Sequence, residues 1–256
     1  MITSATNSKI KYVRRLQADK RFRRREQIYV AEGTRWLKEV VAANISPQLI
    51  LVTEQWLQTA VHHALLQQVA APYQIVSEQL LASMSDTKTP SGILLLLPQQ
   101  TAALPTHPNL VLILDGVANP GNLGTMLRTA GAAGVDAVLL APNCVDLYNP
   151  KVVRGSMGAL LRVPVWEQTW AQIRETVDGM SVWLAVVQAE VAYTAVSWQK
   201  PSALIIGSEA HGVSQEAQRL ATNYLTIPMA DATESLNAAV AAGIILFEAV
   251  RQRANL

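Results

Sequence analysis

Short apolar runs alternate with segments of helical periodicity through the second half of this chain. The runs carry almost no polar residues, which is typical of strands that are covered by helices on both faces. Strands and helices that alternate in this way favour a parallel sheet, because each helix can serve as the crossover between two strands. The pattern predicts strands at residues 110–114, 135–140, 162–165, 182–187, 203–206 and 224–227.

The first half of the chain shows the same alternation on a smaller scale. Strands are predicted at residues 27–31, 49–52, 73–76 and 93–97, with helices up to residue 17 and at 35–43, 53–69 and 78–84. Residues 98–109 contain three prolines and no clear period, which indicates a linker. We therefore predict a small N-terminal α/β domain at residues 1–97, a linker at 98–109 and a larger α/β domain at 110–256.

The composition argues against several classes of protein. The longest apolar run, residues 93–98, is far too short to span a bilayer, and the first residues lack the apolar core of a secretory signal. We therefore expect a cytoplasmic protein with no membrane partner. The one cysteine, Cys144, cannot form an internal disulfide. Because His211 has no other His, Cys or paired carboxylates at ligand spacing, we predict no metal site.

Positive charge is concentrated near the N-terminus. Residues 9–25 contain nine Lys and Arg residues and one acid, Asp19, so this segment carries +8 while the whole chain carries +2. Tyr12 and Phe22 lie among the basic residues. A solvated helix face would also account for the charge, but this density favours a polyanion partner, namely a nucleic acid. The residues predicted to contact the nucleic acid are Lys9, Lys11, Arg14, Arg15, Arg23, Arg24 and Arg25.

A first polar loop, residues 115–124, follows the predicted strand 110–114 and leads into a helix predicted at 125–133. Its glycines permit a close approach of the backbone to a ligand, but both the dinucleotide fingerprint and the phosphate-binding G-K-[ST] signature are missing. Further along, Arg128 needs a carboxylate or a phosphate as its partner. A structural ion pair is the alternative interpretation of Arg128.

Two more polar loops follow predicted strands. In the second loop, residues 207–212, Gly207 would allow a ligand close to the backbone, and Glu209 is a candidate partner for Arg128. A tight turn with a helix cap is the alternative. The third loop, residues 227–237, brings Ser235 and Asn237 to the start of a helix predicted at 238–253. Such a helix start either caps itself or binds a polar ligand. The helix carries an apolar stripe at Leu236, Val240, Ile244, Phe247 and Val250.

Two candidate nucleophiles lack a neighbouring residue that their chemistry needs. The segment Arg154-Gly-Ser-Met-Gly158 has an arginine where a nucleophile elbow needs glycine, so Ser156 is interpreted as a turn or helix residue. Cys144 has no evident activating base in the sequence, and we interpret it as a small buried hydrophobic residue.

Taken together, the three loops resemble the three motifs of the SpoU (TrmH-type) family of SPOUT RNA 2′-O-ribose methyltransferases. The motifs are Asn119-x-Gly-Asn-x-Gly with Arg128, then Ile206-Gly-Ser-Glu-x-x-Gly212, then Ile227-Pro-Met with Glu234-Ser-Leu-Asn237. The N-terminal segment from Asn7 to Arg35 resembles the family's RNA substrate-binding domain. Two positions depart from the family pattern, because many members have an acid at Asn119 and an asparagine at Ser208.

The resemblance implies methyl transfer from S-adenosylmethionine to a ribose 2′-hydroxyl of RNA, with ribosomal RNA as the preferred substrate. Transfer RNA and a non-catalytic RNA-binding assembly role are the alternatives. It also implies a deep trefoil knot in the parallel sheet domain and a homodimer formed through that domain. The implied catalytic residues are Arg128, Asn122, Glu209, Ser235 and Asn237. The implied cofactor-binding residues are Gly207, Ser208, Ile227, Met229 and Leu236.

Overall fold

The protein is described by a computed structural model that covers residues 1–254 except 86, 88, 101–102, 209–211 and 231–233. The chain divides into two compact units. The first unit contains residues 1–100 and 146–161, and the second contains residues 101–145 and 162–256. Residues 146–161, which the sequence places inside the larger domain, therefore pack with the N-terminal part of the chain.

The described residues form ten strands and eleven α-helices. The strands are β1 (Ile28–Glu32), β2 (Leu49–Val52), β3 (Tyr73–Ile75), β4 (Ile93–Pro98), β5 (Leu110–Leu114), β6 (Ala137–Leu140), β7 (Val165–Glu167), β8 (Ser181–Ala185), β9 (Ser202–Ile206) and β10 (Asn223–Leu225). The helices are α1 (Ser8–Ala18), α2 (Lys20–Glu26), α3 (Thr34–Ala42), α4 (Glu54–Leu57), α5 (Ala60–Leu66), α6 (Glu78–Ala82), α7 (Pro120–Ala132), α8 (Pro150–Ser156), α9 (Trp170–Thr176), α10 (Gln215–Leu220) and α11 (Ala238–Arg253).

The first unit is built on a four-stranded mixed sheet in the order β1-β4-β2-β3. Strand β4 is antiparallel to both of its neighbours, while β2 and β3 are parallel. Helix α1 packs its apolar side, Ile10, Val13 and Leu16, into the core beside this sheet. The prediction of a single helix at 53–69 is wrong, because the backbone at Thr59 is extended and separates α4 from α5.

Helix α2 was not predicted, although it lies within the basic segment. Asp19 ends α1 with an extended backbone and starts α2, because its side-chain Oδ1 accepts a hydrogen bond of 3.0 Å from the Phe22 amide. The basic segment is therefore two short helices joined at one capping aspartate. This arrangement brings Phe22 into the core while most of the cations stay exposed.

Residues 146–161 are held in the first unit by side chains from three of its elements. Asp146 pairs with Arg23 of α2, the Tyr148 ring lies 4.8 Å from the Tyr29 ring, and Arg35 Nε donates to the Met157 carbonyl at 3.2 Å. Gly158 has φ +90°, and a Cβ there would lie 2.5 Å from Glu39 Cγ. Ser156 is a helix residue, as the sequence predicted, and its buried hydroxyl donates to the Val153 carbonyl oxygen at 2.8 Å.

The second unit is built on a six-stranded parallel sheet in the order β10-β8-β9-β5-β6-β7, which confirms the predicted parallel sheet. Every residue of β5 and β9 is buried, so both faces of the central strands are covered. Helices α9 and α10 pack on the face that carries Val111 and Ile113. Strand β7 begins at Val165 rather than at residue 162, because its first backbone pair joins Val165 to Val138 of β6.

Helix α11 matches the predicted bounds but buries a different face. Its buried residues are mainly small, and two members of the predicted apolar stripe, Val240 and Phe247, are 51% and 49% exposed. Gly243 faces α7, and a Cβ there would lie at an ordinary contact distance of 3.7 Å from Thr129 Cγ2. Within the described ranges, no helix has both the length and the apolar character needed to cross a membrane.

Candidate active site

A cleft of about 440 Å³ opens at the carboxyl ends of three neighbouring strands, β8, β9 and β10. Ligands of open parallel α/β sheets bind at this edge, and the volume is in the range of small-molecule sites. All five residues predicted to bind a cofactor line the cleft. Its described lining consists of Ala185, Val186, Val187, Ile206, Gly207, Ser208, Gly212, Val213, Ile227, Met229, Ser235, Leu236, Ala238, Ala241 and Ile245.

Gly207 forms one wall of the cleft directly after β9, and only glycine fits there. A Cβ would lie 2.5 Å from Val213 Cγ1 and 2.9 Å from the Gly212 carbonyl oxygen, both closer than real Cβ contacts. Ser208 and Gly212 exchange two backbone hydrogen bonds of 2.9 Å, which close the second loop. Residues 209–211, including the predicted catalytic Glu209, lie outside the described residues.

Asp115 holds the chain that follows this loop, and the sequence did not predict this role. Its carboxylate is buried at the end of β5, and Oδ2 accepts a 2.6 Å hydrogen bond from the Ser214 amide at the start of α10. An acid directly after a fully apolar strand is the sequence signal for such a role, since a buried carboxylate requires a partner. Asp115 thereby fixes the chain on the far side of the second loop.

Asn237 joins the third loop to the first. Its Oδ1 caps α11 by accepting from the amides of Ala239 and Val240 at 3.0 and 3.2 Å. Its Nδ2 donates to Asn122 Oδ1 in α7 at 3.1 Å. The capping interpretation is therefore confirmed, and the same amide also contacts the neighbouring motif, while binding of a polar ligand at this helix start stays a prediction. Ser235 is exposed and lines the cleft.

A second cavity of about 240 Å³ adjoins the cleft, and the two share Gly207, Ser208 and Ala238. The first loop provides the rest of its lining, including Asn119 and Asn122. Helix α7 starts at Pro120, earlier than the predicted residue 125, because the Asn119 side chain accepts a 2.8 Å hydrogen bond from the Gly121 amide. Proline is favoured at the first position of a helix, which fits this start.

Arg128 lies in the third turn of α7 with its side chain exposed. Among the described residues, no hydrogen bond or ion pair joins it to Asn122, Ser235 or Asn237. Of the predicted catalytic group, the structure therefore brings together Asn122 and Asn237. Ser235 lines the adjacent cleft, and Arg128 faces solvent on the same helix as Asn122.

Six of the seven residues predicted to contact RNA are exposed on α1 and α2: Lys9, Lys11, Arg14, Arg15, Arg24 and Arg25. Arg23 is the exception, and its assignment to the RNA surface is wrong. It is 4% exposed, its guanidinium pairs with Asp146, and Nη1 donates to the carbonyl oxygens of Leu16 and Gln17 at 2.6 and 3.0 Å. Its charge is therefore compensated inside the first unit.

Cys144 has no nucleophilic role that the structure supports. Burial raises the pKa of its thiol to about 11, so the thiol is protonated at neutral pH. Its Sγ donates to the Leu114 carbonyl oxygen at 3.2 Å. Cys144 is partly buried, so its interpretation as a small buried residue holds only in part.

Comparison with known proteins gives the family. Residues 109–247 match the SpoU rRNA Methylase family, and residues 7–95 match the MRM3-like substrate binding domain. The chain belongs to the SpoU rRNA methylase family. The resemblance noted from the three motifs is therefore confirmed, and the basic N-terminal segment falls within a substrate-binding domain.

Relatives and solved structures match over nearly the whole chain. A Synechocystis protein named uncharacterized tRNA/rRNA methyltransferase is 35% identical over 98% of this chain and 94% of its own length. The 23S rRNA guanosine 2′-O-methyltransferase RlmP of Bacillus subtilis is 30% identical over 96% of this chain and 97% of its own length. The crystal structure of the AdoMet-bound rRNA methyltransferase of Sinorhizobium meliloti has a TM-score of 0.86 and 27% identity, covering 98% of this chain and 97% of that chain.

Proposed function

We propose that this protein transfers a methyl group from S-adenosylmethionine to a ribose 2′-hydroxyl of ribosomal RNA. The observation that carries the proposal is the cleft at the ends of β8, β9 and β10, which is lined by Gly207, Ser208, Ile227, Met229 and Leu236. These residues belong to the second and third family motifs. The relatives named for rRNA 2′-O-methylation support the substrate class.

The cleft suits S-adenosylmethionine. Apolar side chains, including Ile206, Leu236 and Ile245, offer contact surface for an adenine ring, while the Ser235 hydroxyl adds a polar group. Gly207 leaves the backbone accessible where any side chain would collide with the loop. S-adenosylmethionine supplies the methyl group on a positively charged sulfonium, which makes that carbon electrophilic.

The smaller cavity is the proposed site of the acceptor ribose, because it adjoins the cofactor cleft and carries polar side chains from two motifs. The 2′-oxygen forms a bond to the methyl carbon as the carbon–sulfur bond breaks, the sulfur leaves as the neutral thioether of S-adenosylhomocysteine, and the hydroxyl proton passes to water. Correct placement of the reacting atoms, roughly 3–3.5 Å apart, supplies much of the rate. The amides of Asn122 and Asn237, linked at 3.1 Å, are proposed to hold the ribose in that position.

Arg128 is proposed to bind an RNA phosphate and so orient the 2′-hydroxyl. An arginine stays protonated in proteins, which argues against a role as a free base. Its exposed position on α7 leaves the guanidinium accessible to the RNA backbone. Glu209 remains a proposed partner of Arg128.

Two measurements test the proposal. Sites of 2′-O-methylation in total RNA, mapped with and without the gene, should differ at a site in ribosomal RNA. A change confined to transfer RNA would redirect the substrate assignment. Calorimetry with S-adenosylmethionine should show binding, and a protein that binds RNA without binding the cofactor would instead have the non-catalytic assembly role.

A homodimer through the second unit is also proposed. Helix α11 presents Val240 and Phe247, each about half exposed, on the face opposite its alanine-rich buried side. The two side chains lie two helical turns apart and offer an apolar surface for a second copy of the chain. Phe247→Asp should shift the protein from dimer to monomer in analytical ultracentrifugation, whereas a wild-type protein that sediments as a monomer would refute the dimer.

The trefoil knot stays an expectation that the family resemblance implies, and the cytoplasmic location stays an expectation from the sequence. The domain division at residues 1–97, 98–109 and 110–256 is likewise proposed, with residues 146–161 packed in the first unit. Fluorescence microscopy of a tagged copy tests the location, since a membrane-bound signal would contradict it.

A further inference from the structure

Two arginines from the basic segment share one aromatic ring. The guanidinium carbon of Arg15 lies 4.2 Å from the centroid of the Phe22 ring, and that of Arg25 lies 4.8 Å from it. The two guanidinium carbons are therefore no more than about 9 Å apart. One residue comes from α1 and the other from α2, so the ring of Phe22 connects the two helices.

The ring is fixed while the cations remain accessible. Phe22 is 6% exposed and belongs to the core of the first unit, and the Tyr12 ring meets it edge-on at 5.4 Å. By contrast, the side chains of Arg15 and Arg25 are 57% and 65% exposed. A rigid aromatic ring thus orients two charged groups that otherwise have many rotamers, which lowers the entropy lost when they bind an anion.

Each of the two arginines faces a carboxylate. Arg25 donates to Glu26 Oε1 from Nε at 2.9 Å and from Nη2 at 2.8 Å, and Arg15 lies 4.0 Å from Asp19. Tyr12 donates to the other oxygen of Glu26 at 3.2 Å. Two close cations repel each other, and in this chain the ring and the carboxylates offset that repulsion. A phosphate group can replace the carboxylates as the partner of the two arginines, because a guanidinium group binds carboxylate and phosphate with the same bidentate geometry.

We propose that Arg15, Phe22 and Arg25 form a clamp for a phosphodiester group of the RNA substrate. Arg15 and Arg25 bind the phosphate, Phe22 is a positioning residue that orients them, and Glu26 is a counter-ion that the phosphate displaces. The inference rests on the proposed RNA substrate. Binding to the clamp is independent of base sequence, because phosphate oxygens carry no sequence information.

The clamp differs from a merely basic surface in one measurable respect: the arginines act through the ring as well as through their charge. Arg21 is a matched control, because it is an exposed cation on α2, the helix that carries Arg25. Among the described residues, no aromatic ring contacts it. A lysine keeps the charge but loses the planar stacking group. Substitution by lysine therefore separates the two explanations.

The test uses the full-length protein and a fluorescein-labelled RNA oligonucleotide in anisotropy titrations. Arg15→Lys and Arg25→Lys should each weaken RNA binding about two- to fivefold, the range expected for loss of an exposed cation–π contact, while Arg21→Lys should leave it unchanged. Phe22→Leu should weaken RNA binding although it removes no charge. Phe22→Tyr keeps an aromatic ring and should bind RNA with the affinity of the wild-type protein. Glu26→Gln should strengthen binding. Thermal melts of each variant exclude loss of folding as the cause.

Equal effects of the three lysine variants would overturn the clamp, and so would an unchanged affinity in a folded Phe22→Leu protein. A wild-type protein that binds no RNA would overturn both the clamp and the proposed function. If the variants behave as expected while the wild-type protein methylates no ribosomal RNA, the clamp stands and only the proposed function fails.

Discussion

Asp146→Ala should destabilise the first unit strongly, because it would leave a buried cation without its partner. Arg23 and Asp146 are 4% and 8% exposed, and Arg23 donates to Asp146 Oδ2 from Nε at 3.2 Å and from Nη2 at 2.5 Å. Two backbone carbonyl oxygens accept from Nη1 and remain in place in the variant. Loss of one partner of such a pair costs about 3–5 kcal/mol.

The measurement is urea denaturation of the full-length protein, followed by circular dichroism. An exposed pair gives the matched control, since Arg25→Ala removes only exposed contacts, with Glu26 and with the Phe22 ring, and should cost much less than Asp146→Ala. Replacing both buried partners, as Arg23→Met with Asp146→Leu, should recover most of the lost stability, because no charge is then left buried.

A loss below about 1 kcal/mol in Asp146→Ala would refute the reasoning. It would mean that water reaches Arg23 or that residues 146–161 are not held in the first unit by this pair. The structure also predicts that a folded double variant binds RNA with the salt dependence of wild type, since the Arg23 guanidinium is buried.

Three further predictions concern the second unit. Gly207→Ala should abolish S-adenosylmethionine binding in calorimetry, because its Cβ would collide with Val213. Gly243→Ala should bind the cofactor normally, because its Cβ would lie at an ordinary contact distance from Thr129. Equal affinities of the two variants for the cofactor would contradict the role of Gly207. Asn237→Ala should lose about 1–2 kcal/mol of stability through the helix cap, while Asn237→Ser should keep a cap but lose the bond to α7 and most of the methyl transfer. Hydrogen bonds from Arg251 and Gln252 lower the pKa of Glu248 to about 2 from its ordinary 4.5. Its contribution to stability is therefore complete above pH 4.5 and is lost as the pH falls towards 2, so Glu248→Gln should flatten that part of a stability–pH curve.

The sequence predicted the parts of the fold that depend on local pattern. Strand β5 reads as an uninterrupted apolar run, and its prediction at 110–114 matches the structure because a central parallel strand must be apolar on both faces. The cofactor-side residues of the motifs, such as Gly207 and Met229, do line one cleft. That outcome follows from the parallel sheet, which places consecutive strand ends along one edge.

Non-local contacts account for what the sequence missed. Arg23 looks like its basic neighbours, and only a partner 123 positions away shows that it is buried. In α11 the apolar periodicity indicates the face of Val240 and Phe247, which is about half exposed, whereas small residues such as Ala242 form most of the buried side. Apolar periodicity locates a helix, but it does not distinguish a face buried in the monomer from one available to another surface.

The central claim is methyl transfer to the ribose of ribosomal RNA, and it is tested most directly by incubating the purified protein with unmodified ribosomal RNA and methyl-labelled S-adenosylmethionine. Digested RNA analysed by mass spectrometry shows whether the label is on a 2′-oxygen. We expect a 2′-O-methylated nucleotide with wild-type protein and none with Arg128→Ala, although that variant should bind the cofactor as tightly as wild type. Label on a base, no label at all, or full transfer by Arg128→Ala would contradict the account.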